Sequence, residues 1–257
     1  MDDTARLAWG IIGPGTIAAR FAAALPHSRT GRLVAIGTRN PDKDGLAESF
    51  PGARIQDGYA ALIEDPEVEA IYIATPHRFH AELAIKAAEA GKHVLCEKPL
   101  AVSAAEAEAV IHAARKAGTF VGEAFMNRVH PMTARIVELI RAGTIGEVKA
   151  IKSSFGVDVS ERSPDHRLFV HDIAGGAILD IACYPVSAAR LVAGAAAGLP
   201  FLDPVEVKGT GHIGATNVDE WAAAVLRFPG DIVAEVAGAI TVWQENDLKV
   251  FGSTGWM

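Results

Sequence analysis

Cysteine is scarce in this chain, whose 257 residues include only Cys96 and Cys183. The two lie far apart, each within an apolar segment, so we expect two buried thiols in a reducing compartment rather than a disulfide. No cysteine pair has the spacing of a zinc site. His77 and His80 are three residues apart and have no third histidine near them in the sequence. We therefore predict that the protein binds no metal.

An excess of basic charge and long apolar runs are also absent. The formal net charge is −7, which gives no general attraction to nucleic acid or to an anionic membrane. No apolar run approaches the length of a membrane span. The acidic start Met-Asp-Asp leads directly into an apolar segment, which is unlike a signal peptide. We expect a cytoplasmic protein that binds a small-molecule substrate.

Half of the residues are hydrophobic, enough for one large or two ordinary domains. Short apolar runs first alternate with Ala-rich helical segments, which predicts a parallel, doubly wound sheet. After Gly122, long alternating runs follow one another with tight connections, which predicts a largely antiparallel sheet. We therefore expect an α/β fold with a nucleotide-binding Rossmann domain at residues 1–122. An α+β domain for substrate binding and oligomerisation would occupy residues 123–257.

The segment Gly13-Pro-Gly-Thr-Ile-Ala18 lies between the first predicted strand and the first predicted helix. It matches G-x-G-x-x-A, a variant of the dinucleotide-binding fingerprint. Gly13 would permit the tight turn, Gly15 would let a pyrophosphate approach the backbone, and Ala18 would allow close packing of helix on strand. The first helical amides, at Thr16 and Ile17, would face the phosphates.

The second predicted strand ends in Thr38-Arg39-Asn40-Pro41. A site for NAD usually has Asp or Glu here, about 20 residues after the glycines, and none is present. Asn40 and Pro41 predict the N-cap and first residue of the next helix. Thr38 and Arg39 offer a hydroxyl and a guanidinium that suit a 2′-phosphate. We expect NADP as the cofactor, with NAD and a merely solvated Arg39 as the alternatives.

Two further strands end in polar residues. After the strand at residues 70–74, Pro76 fits the first position of a helix capped by Thr75. We expect Thr75 at this strand end to contact the cofactor, and His77 and His80 would cap the helix or contact the cofactor.

The apolar run at residues 94–96 is followed by Glu97, Lys98 and Pro99. Ligands bind beyond the carboxyl ends of strands in open α/β sheets, so Lys98 would stand at the mouth of a cleft. Pro99 ends the strand and stiffens the turn. A surface Glu–Lys pair is the alternative.

In the second half, residues 175–186 read as a helix opened by Gly175 and Gly176. Asp180 and Tyr184 are four residues apart and would share one face of that helix. Apolar neighbours would partly desolvate both groups, which usually requires partners or a function. A hydrogen bond between them that locks the helix to the sheet is an equally weighted alternative.

Together the glycine fingerprint, the Glu97-Lys98-Pro99 turn and the Asp180–Tyr184 spacing resemble the glucose–fructose oxidoreductase, inositol dehydrogenase and rhizopine-catabolism (Gfo/Idh/MocA) family. The resemblance runs from about residue 7 to residue 255. Within the family, segments 123–131, 167–169 and 183–185 look most like the branch that contains NADP-dependent aldose 1-dehydrogenases and dimeric dihydrodiol dehydrogenase.

The resemblance implies roles for individual residues. Lys98 is similar to the lysine that contacts the nicotinamide ribose and the reacting oxygen, and Asp180 is similar to a substrate-orienting carboxylate. Tyr184 matches the proton-transfer residue, and a nearby Lys98 ammonium would favour its phenolate. Glu97 and Arg128 match residues that border the cofactor.

The same resemblance implies an NADP-dependent oxidoreductase that transfers hydride between nicotinamide and a sugar or polyol hydroxyl or carbonyl. Relatives often pair through the open sheet, so a homodimer is expected. They also continue beyond the position of residue 257, so the chain looks short at its C-terminus. Two alternatives stay open: a dehydrogenase or reductase of dihydrodiols or dicarbonyls, and a non-catalytic nucleotide-binding protein.

Overall fold

The computed structural model describes residues 6–257. The chain divides into two compact units, residues 1–124 and residues 125–257.

The first unit is a six-stranded parallel sheet with helices between its strands. The strands are β1 (Leu7–Ile12), β2 (Gly31–Thr38), β3 (Arg54–Asp57), β4 (Ala70–Ile73), β5 (His93–Glu97) and β6 (Val121–Ala124). The helices are α1 (Thr16–Ala24), α2 (Leu46–Ser49), α3 (Tyr59–Glu64), α4 (His80–Glu89) and α5 (Ala104–Ala117). The strand order is β3-β2-β1-β4-β5-β6, which is the order of the dinucleotide-binding fold. The predicted parallel, doubly wound sheet is confirmed.

The apolar strands form this sheet because both of its faces are covered. All four residues of β4 are buried, as expected for a central parallel strand. Ile71 and Ile73 pack into the apolar cluster on one face, and Tyr72 packs into the cluster on the other face. The crossover point of the sheet, between β1 and β4, lies at the centre of this core.

Two predicted helix starts were wrong, and both lie beside the carboxyl ends of strands. Residues 41–45 form turns, and α2 begins only at Leu46, because Gly45 has a left-handed backbone with φ +73°. Pro76 has an extended backbone and leads into a 3₁₀ turn at His77–Phe79 before α4 begins. Thr75 therefore does not act as a helix cap.

The second unit combines two helices with a five-stranded sheet. The helices are α6 (Pro131–Arg141) and α7 (Cys183–Ala196). The strands are β7 (Val148–Gly156), β8 (Glu206–Ile213), β9 (Asp219–Phe228), β10 (Ile232–Ala239) and β11 (Asp247–Gly252). The strand order is β11-β7-β10-β9-β8. The pairs are antiparallel except for β7 with β10, which is parallel. The observed sheet is thus mixed and mostly antiparallel, as the sequence predicted.

Both helices contribute to one core with the sheet. Residues such as Val192 of α7 and Ile140 of α6 pack with Phe228 and Ile151 of the strands. In β9, Leu226 and Phe228 are buried, whereas Val225 and Arg227 are exposed. This alternation leaves the opposite face of the sheet open to solvent.

The helix predicted from Gly175 is not regular. Ile178–Ala182 form a π-helical turn, and the α-helix α7 begins at Cys183. The segment His171–Ala196 is long enough to cross a membrane, and its most apolar 18-residue window has a mean hydropathy of 1.4. Half of that window, however, is buried within the protein. A buried core helix has this composition as well, so the segment is weak grounds for a membrane span.

Candidate active site

The loop after β1 has the geometry of a phosphate-binding turn. Gly13 has φ +85°, and a Cβ atom there would lie 2.9 Å from the carbonyl oxygen of Ala74. A side chain at Gly15, by contrast, would meet no protein atom within 4 Å. Ala18 is fully buried against the sheet. The chain itself therefore requires glycine at position 13, whereas the open space beside Gly15 is available to a ligand that approaches the start of α1.

Thr75 follows β4, next to this loop. Its side chain is buried, and its hydroxyl is one of the buried polar groups with no hydrogen-bond partner in the described part of the chain. A buried hydroxyl without a partner is unfavourable, and a ligand at the crossover edge would supply the missing partner. The site thus fits a dinucleotide. The first amides of α1, at Thr16 and Ile17, have no acceptor within the helix and are suited to its phosphates.

The end of β2 carries the residues that would distinguish NADP from NAD. The hydroxyl of Thr38 accepts a hydrogen bond from the Asn40 amide at 3.2 Å, so it stabilises the turn. Arg39 is exposed, and its guanidinium carbon lies 5.9 Å from the ring centroids of both Tyr59 and Phe79. These cation–π contacts hold the positive charge at the carboxyl edge of the sheet.

The Glu97-Lys98-Pro99 turn is held by hydrogen bonds to carboxylates. The Tyr72 hydroxyl donates to the carboxylate of Glu97, whose other oxygen accepts the Lys98 amide at 3.3 Å. The amide of Leu100 donates to Glu123 at 2.8 Å. Glu97 therefore shapes the turn in this structure. Lys98 is half-buried at the carboxyl end of β5.

The two histidines after β4 are both buried, and their ring centroids lie 5.8 Å apart. The ring nitrogens of His80 each lie 2.8 Å from a backbone carbonyl oxygen, one of Pro99 and one of Thr75. His80 thus connects two loops. Its ring nitrogens lie against backbone oxygens, whereas the sequence suggested that His80 would cap the helix or contact a cofactor.

Asp180 lies in the π turn of the second unit and is 4% exposed. Arg167 forms a two-pronged ion pair with it, with nitrogen–oxygen distances of 3.1 and 3.4 Å. Such a two-pronged pair fixes the plane of the carboxylate.

The segment that carries Asp180 is anchored by a residue of β9. The carboxylate of Asp219 accepts the Ile178 amide at 2.5 Å and also bonds the Ala177 amide. A Cβ atom at Gly176 would lie 2.3 Å from this carboxylate, so glycine is required there. Burial raises the pKa of Asp219 above its ordinary value, although the backbone amides oppose that shift.

Tyr184 lies at the start of α7, next to two aromatic rings. Its ring centroid is 4.9 Å from that of Phe125 and 5.5 Å from that of Phe155. Arg128 is exposed and donates a hydrogen bond to the Ser187 hydroxyl at 3.3 Å. These ring contacts hold the aromatic ring of Tyr184 in place.

Two of these residues were missed by sequence reasoning as parts of the site. Arg167 was noticed only as part of a family-like segment, and Asp219 directly precedes a predicted strand. Only the Gly175-Gly176 pair gave a signal, because a glycine often marks a close approach by another group. Within residues 6–257, no group of three or more His, Cys, Asp or Glu side chains could hold a metal.

The chain matches two family models that together span most of its length. Residues 7–125 match the oxidoreductase family with an NAD-binding Rossmann fold, and residues 133–257 match the GFO/IDH/MocA C-terminal domain. A trans-1,2-dihydrobenzene-1,2-diol dehydrogenase from Mus musculus is 32% identical over 254 residues, which cover 97% of this chain and 73% of the relative.

Two solved structures are similar along almost the whole chain. A 3-ketoreductase from Actinomadura kijaniata in complex with NADP and TDP-benzene has a TM-score of 0.85 at 30% identity, covering 98% of this chain and 75% of the other. An aldose-aldose oxidoreductase from Caulobacter crescentus in complex with glycerol has a TM-score of 0.85 at 27% identity, covering 98% of this chain and 76% of the other. The chain belongs to the Gfo/Idh/MocA family and is an NAD(P)-dependent dehydrogenase with a Rossmann nucleotide-binding domain.

Proposed function

We propose that the protein is an NADP-dependent oxidoreductase that interconverts a hydroxyl and a carbonyl group on a sugar or another polyol-like molecule. The observation that carries this proposal is the buried carboxylate of Asp180, which Arg167 holds in a two-pronged ion pair four residues before Tyr184. A fixed carboxylate is suited to bind a substrate hydroxyl, and a phenol is suited to exchange a proton with one.

We propose that the cofactor is held by the Gly13–Gly15 loop, the first amides of α1 and the hydroxyl of Thr75. When bound, the nicotinamide supplies the hydride acceptor. The open space beside Gly15 and the unpartnered hydroxyl of Thr75 support this assignment. The guanidinium of Arg39 supports a preference for NADP over NAD, because it offers a charge-assisted bond to a 2′-phosphate.

The proton chemistry is assigned to three side chains. In the oxidative direction the substrate carbon loses a hydride and its oxygen loses a proton, which leaves a carbonyl. We assign the acceptance of that proton to Tyr184, the stabilisation of its phenolate to the Lys98 ammonium, and the orientation of a neighbouring substrate hydroxyl to Asp180. The reductive direction uses the same groups in reverse.

A second candidate substrate is a cyclic dihydrodiol. The mouse relative is named for such a substrate, whereas the two similar structures are a ketoreductase and an aldose-aldose oxidoreductase. Aldoses and dihydrodiols both present adjacent oxygens, one to react and one to be bound. Asp180 would serve either class in the same way, so the choice between them depends on measurement.

The deciding experiment is a substrate panel with the purified protein and both cofactors. We expect NADP reduction with at least one aldose, polyol or cyclic diol. Tyr184→Phe should lower kcat by about 100-fold or more, in the range of general acid–base catalysis, with NADPH affinity unchanged. Unaltered turnover in Tyr184→Phe would refute the assigned mechanism. NADPH binding without turnover of any panel member would favour a non-catalytic nucleotide-binding protein.

We also propose that two copies pair through the open face of the second sheet and that the protein is cytoplasmic. Small residues occupy the centre of that face, where Ala223 lies between Ala237 and Thr210 on the neighbouring strands. The small side chains at this position support the close approach of a second sheet. The two free thiols support a reducing compartment.

A further inference from the structure

His80 is the first residue of α4 and has no exposed surface. Its Nδ1 atom lies 2.8 Å from the carbonyl oxygen of Pro99, and its Nε2 atom lies 2.8 Å from the carbonyl oxygen of Thr75. Each distance is that of a strong hydrogen bond. The imidazole ring therefore spans the space between two backbone segments.

These two segments follow neighbouring parallel strands. Thr75 lies just beyond β4, and Pro99 lies just beyond β5, which pairs with β4 in register. The first segment carries the unpartnered hydroxyl that we assign to the cofactor. The second carries Lys98, the proposed partner of the reacting oxygen. One buried side chain thus contacts both the nucleotide-binding edge and the lysine turn.

A carbonyl oxygen only accepts hydrogen bonds, so a contact is a hydrogen bond only where the facing ring nitrogen carries an N–H group. A neutral imidazole has one such group and an imidazolium has two. Burial lowers the pKa of His80, the two carbonyls oppose that shift, and the nearby His77 and Lys98 reinforce it. Both ring nitrogens face a backbone carbonyl oxygen, so the geometry directs neither of them to a cofactor.

We propose that His80 is a positioning residue that fixes the separation of the Thr75 segment and the Lys98-Pro99 turn. Through Pro99 it determines where the Lys98 ammonium stands, and through Thr75 it determines where the cofactor is held. Its effect on turnover rests on the proposed function, whereas its effect on cofactor affinity rests only on the nucleotide-binding fold.

Two conservative variants separate these contacts. In His80→Asn the side-chain amide nitrogen stands near the position of Nδ1 and can still donate to Pro99. In His80→Gln it stands near the position of Nε2 and can still donate to Thr75. His80→Leu removes both donors. The readouts are the NADPH dissociation constant from fluorescence titration, kcat at saturating cofactor, and the melting temperature.

We expect His80→Gln to retain NADPH affinity within about twofold and to lose roughly tenfold or more in kcat, consistent with one lost hydrogen bond that positions a catalytic group. We expect His80→Asn to show the opposite pattern, with affinity weakened about three- to tenfold and kcat nearly retained. His80→Leu should combine both losses.

Equal losses in the Asn and Gln variants, or no loss in either, would overturn the proposal, because the two contacts would then have no separate effects. Failure of both variants to fold would overturn it as well, since His80 would be required for the fold itself. Lys98→Met is the control for the proposed function. If it leaves kcat unchanged, the assigned mechanism is wrong, while the NADPH affinities still decide the role of His80.

Discussion

Thr75 carries a buried hydroxyl that no described protein group satisfies. Replacing it with the isosteric valine removes that hydroxyl without opening a cavity. We expect Thr75→Val to weaken NADPH binding about three- to tenfold, the value of one net hydrogen bond. The melting temperature of the unliganded protein should stay the same or rise, because no protein hydrogen bond is lost. Fluorescence titration and thermal unfolding measure the two effects.

The matched control for this prediction is Thr38→Val. The Thr38 hydroxyl bonds the Asn40 amide, so its loss should lower the stability of the unliganded protein. A fall in stability for Thr75→Val that equals the fall for Thr38→Val would show that the Thr75 hydroxyl serves the fold instead.

Arg39 presents its charge beside two aromatic rings at the end of β2. We expect Arg39→Gln to raise the KM for NADP about tenfold or more, since a charge-assisted bond to the 2′-phosphate contributes roughly 1.5–3 kcal/mol. The KM for NAD, which lacks that phosphate, should change little. Steady-state kinetics with both cofactors test this prediction, and equal effects on the two would contradict it.

The ion pair of Arg167 with Asp180 joins a half-exposed guanidinium to a buried carboxylate. Arg167→Met would leave that carboxylate without its cation, which we expect to lower the free energy of unfolding by about 1–3 kcal/mol. The double variant with Asp180→Asn should lose less than the sum of the single variants, because no buried charge remains. Urea unfolding of all four proteins measures this coupling, and strict additivity would contradict it.

At the scale of elements, the π turn depends on the carboxylate of Asp219. Its folded-state pKa lies above the ordinary value of 3.8, chiefly because it is buried. The folded state therefore binds more protons than the unfolded state between these two pKa values, and the free energy of unfolding falls as the pH rises through that window. We expect the free energy of unfolding of wild type, taken relative to that of Asp219→Asn, to fall across this window, because the asparagine keeps an oxygen to accept the Ile178 amide but does not titrate.

Urea unfolding of both proteins over the pH range just above 3.8 checks this prediction. The difference between the two proteins isolates the Asp219 contribution from that of the other carboxylates. Parallel curves would show that the pKa of Asp219 does not differ between the folded and unfolded states.

Most elements could be predicted from the sequence because their apolar periods are long and uninterrupted. The sequence shows apolar or alternating runs at β1 and at β7–β11, and these runs predict the strands. The starts of α2 and α4 could not, because Gly45 and Pro76 set local backbone angles that compete with capping preferences. The π turn was also missed, because its anchor Asp219 lies about forty residues further along the chain.

For the molecule as a whole, pairing through the open sheet face has a direct test. Ala223→Arg places a long charged side chain at the centre of that face. We expect light scattering to give about twice the chain mass of 27.0 kDa for wild type and the single chain mass for the variant. Ala105→Arg, on the exposed side of α5, is the matched control and should remain paired. A wild-type monomer would refute the pairing.

The class of the protein was more predictable from the sequence than its site. The fingerprint at Gly13, the Lys98 turn and Asp180 each stand in a local pattern, and the three patterns together resemble a dehydrogenase family. The partners that position these groups come from other segments: His80 contacts Pro99, and Arg167 contacts Asp180. Sequence spacing carries no information on such pairs, because tertiary packing alone brings them together.

The π turn at Ile178–Ala182 also limits how this segment tolerates insertions and deletions. A chain one residue shorter between Gly176 and Cys183 would be free to close a regular α-helix there. Each residue of an α-helix turns by about 100°, so the phenol of Tyr184 would rotate by that angle relative to the Asp219 anchor. Variants with a length change in this segment should therefore lose activity sharply, although the shortened helix itself would be stable.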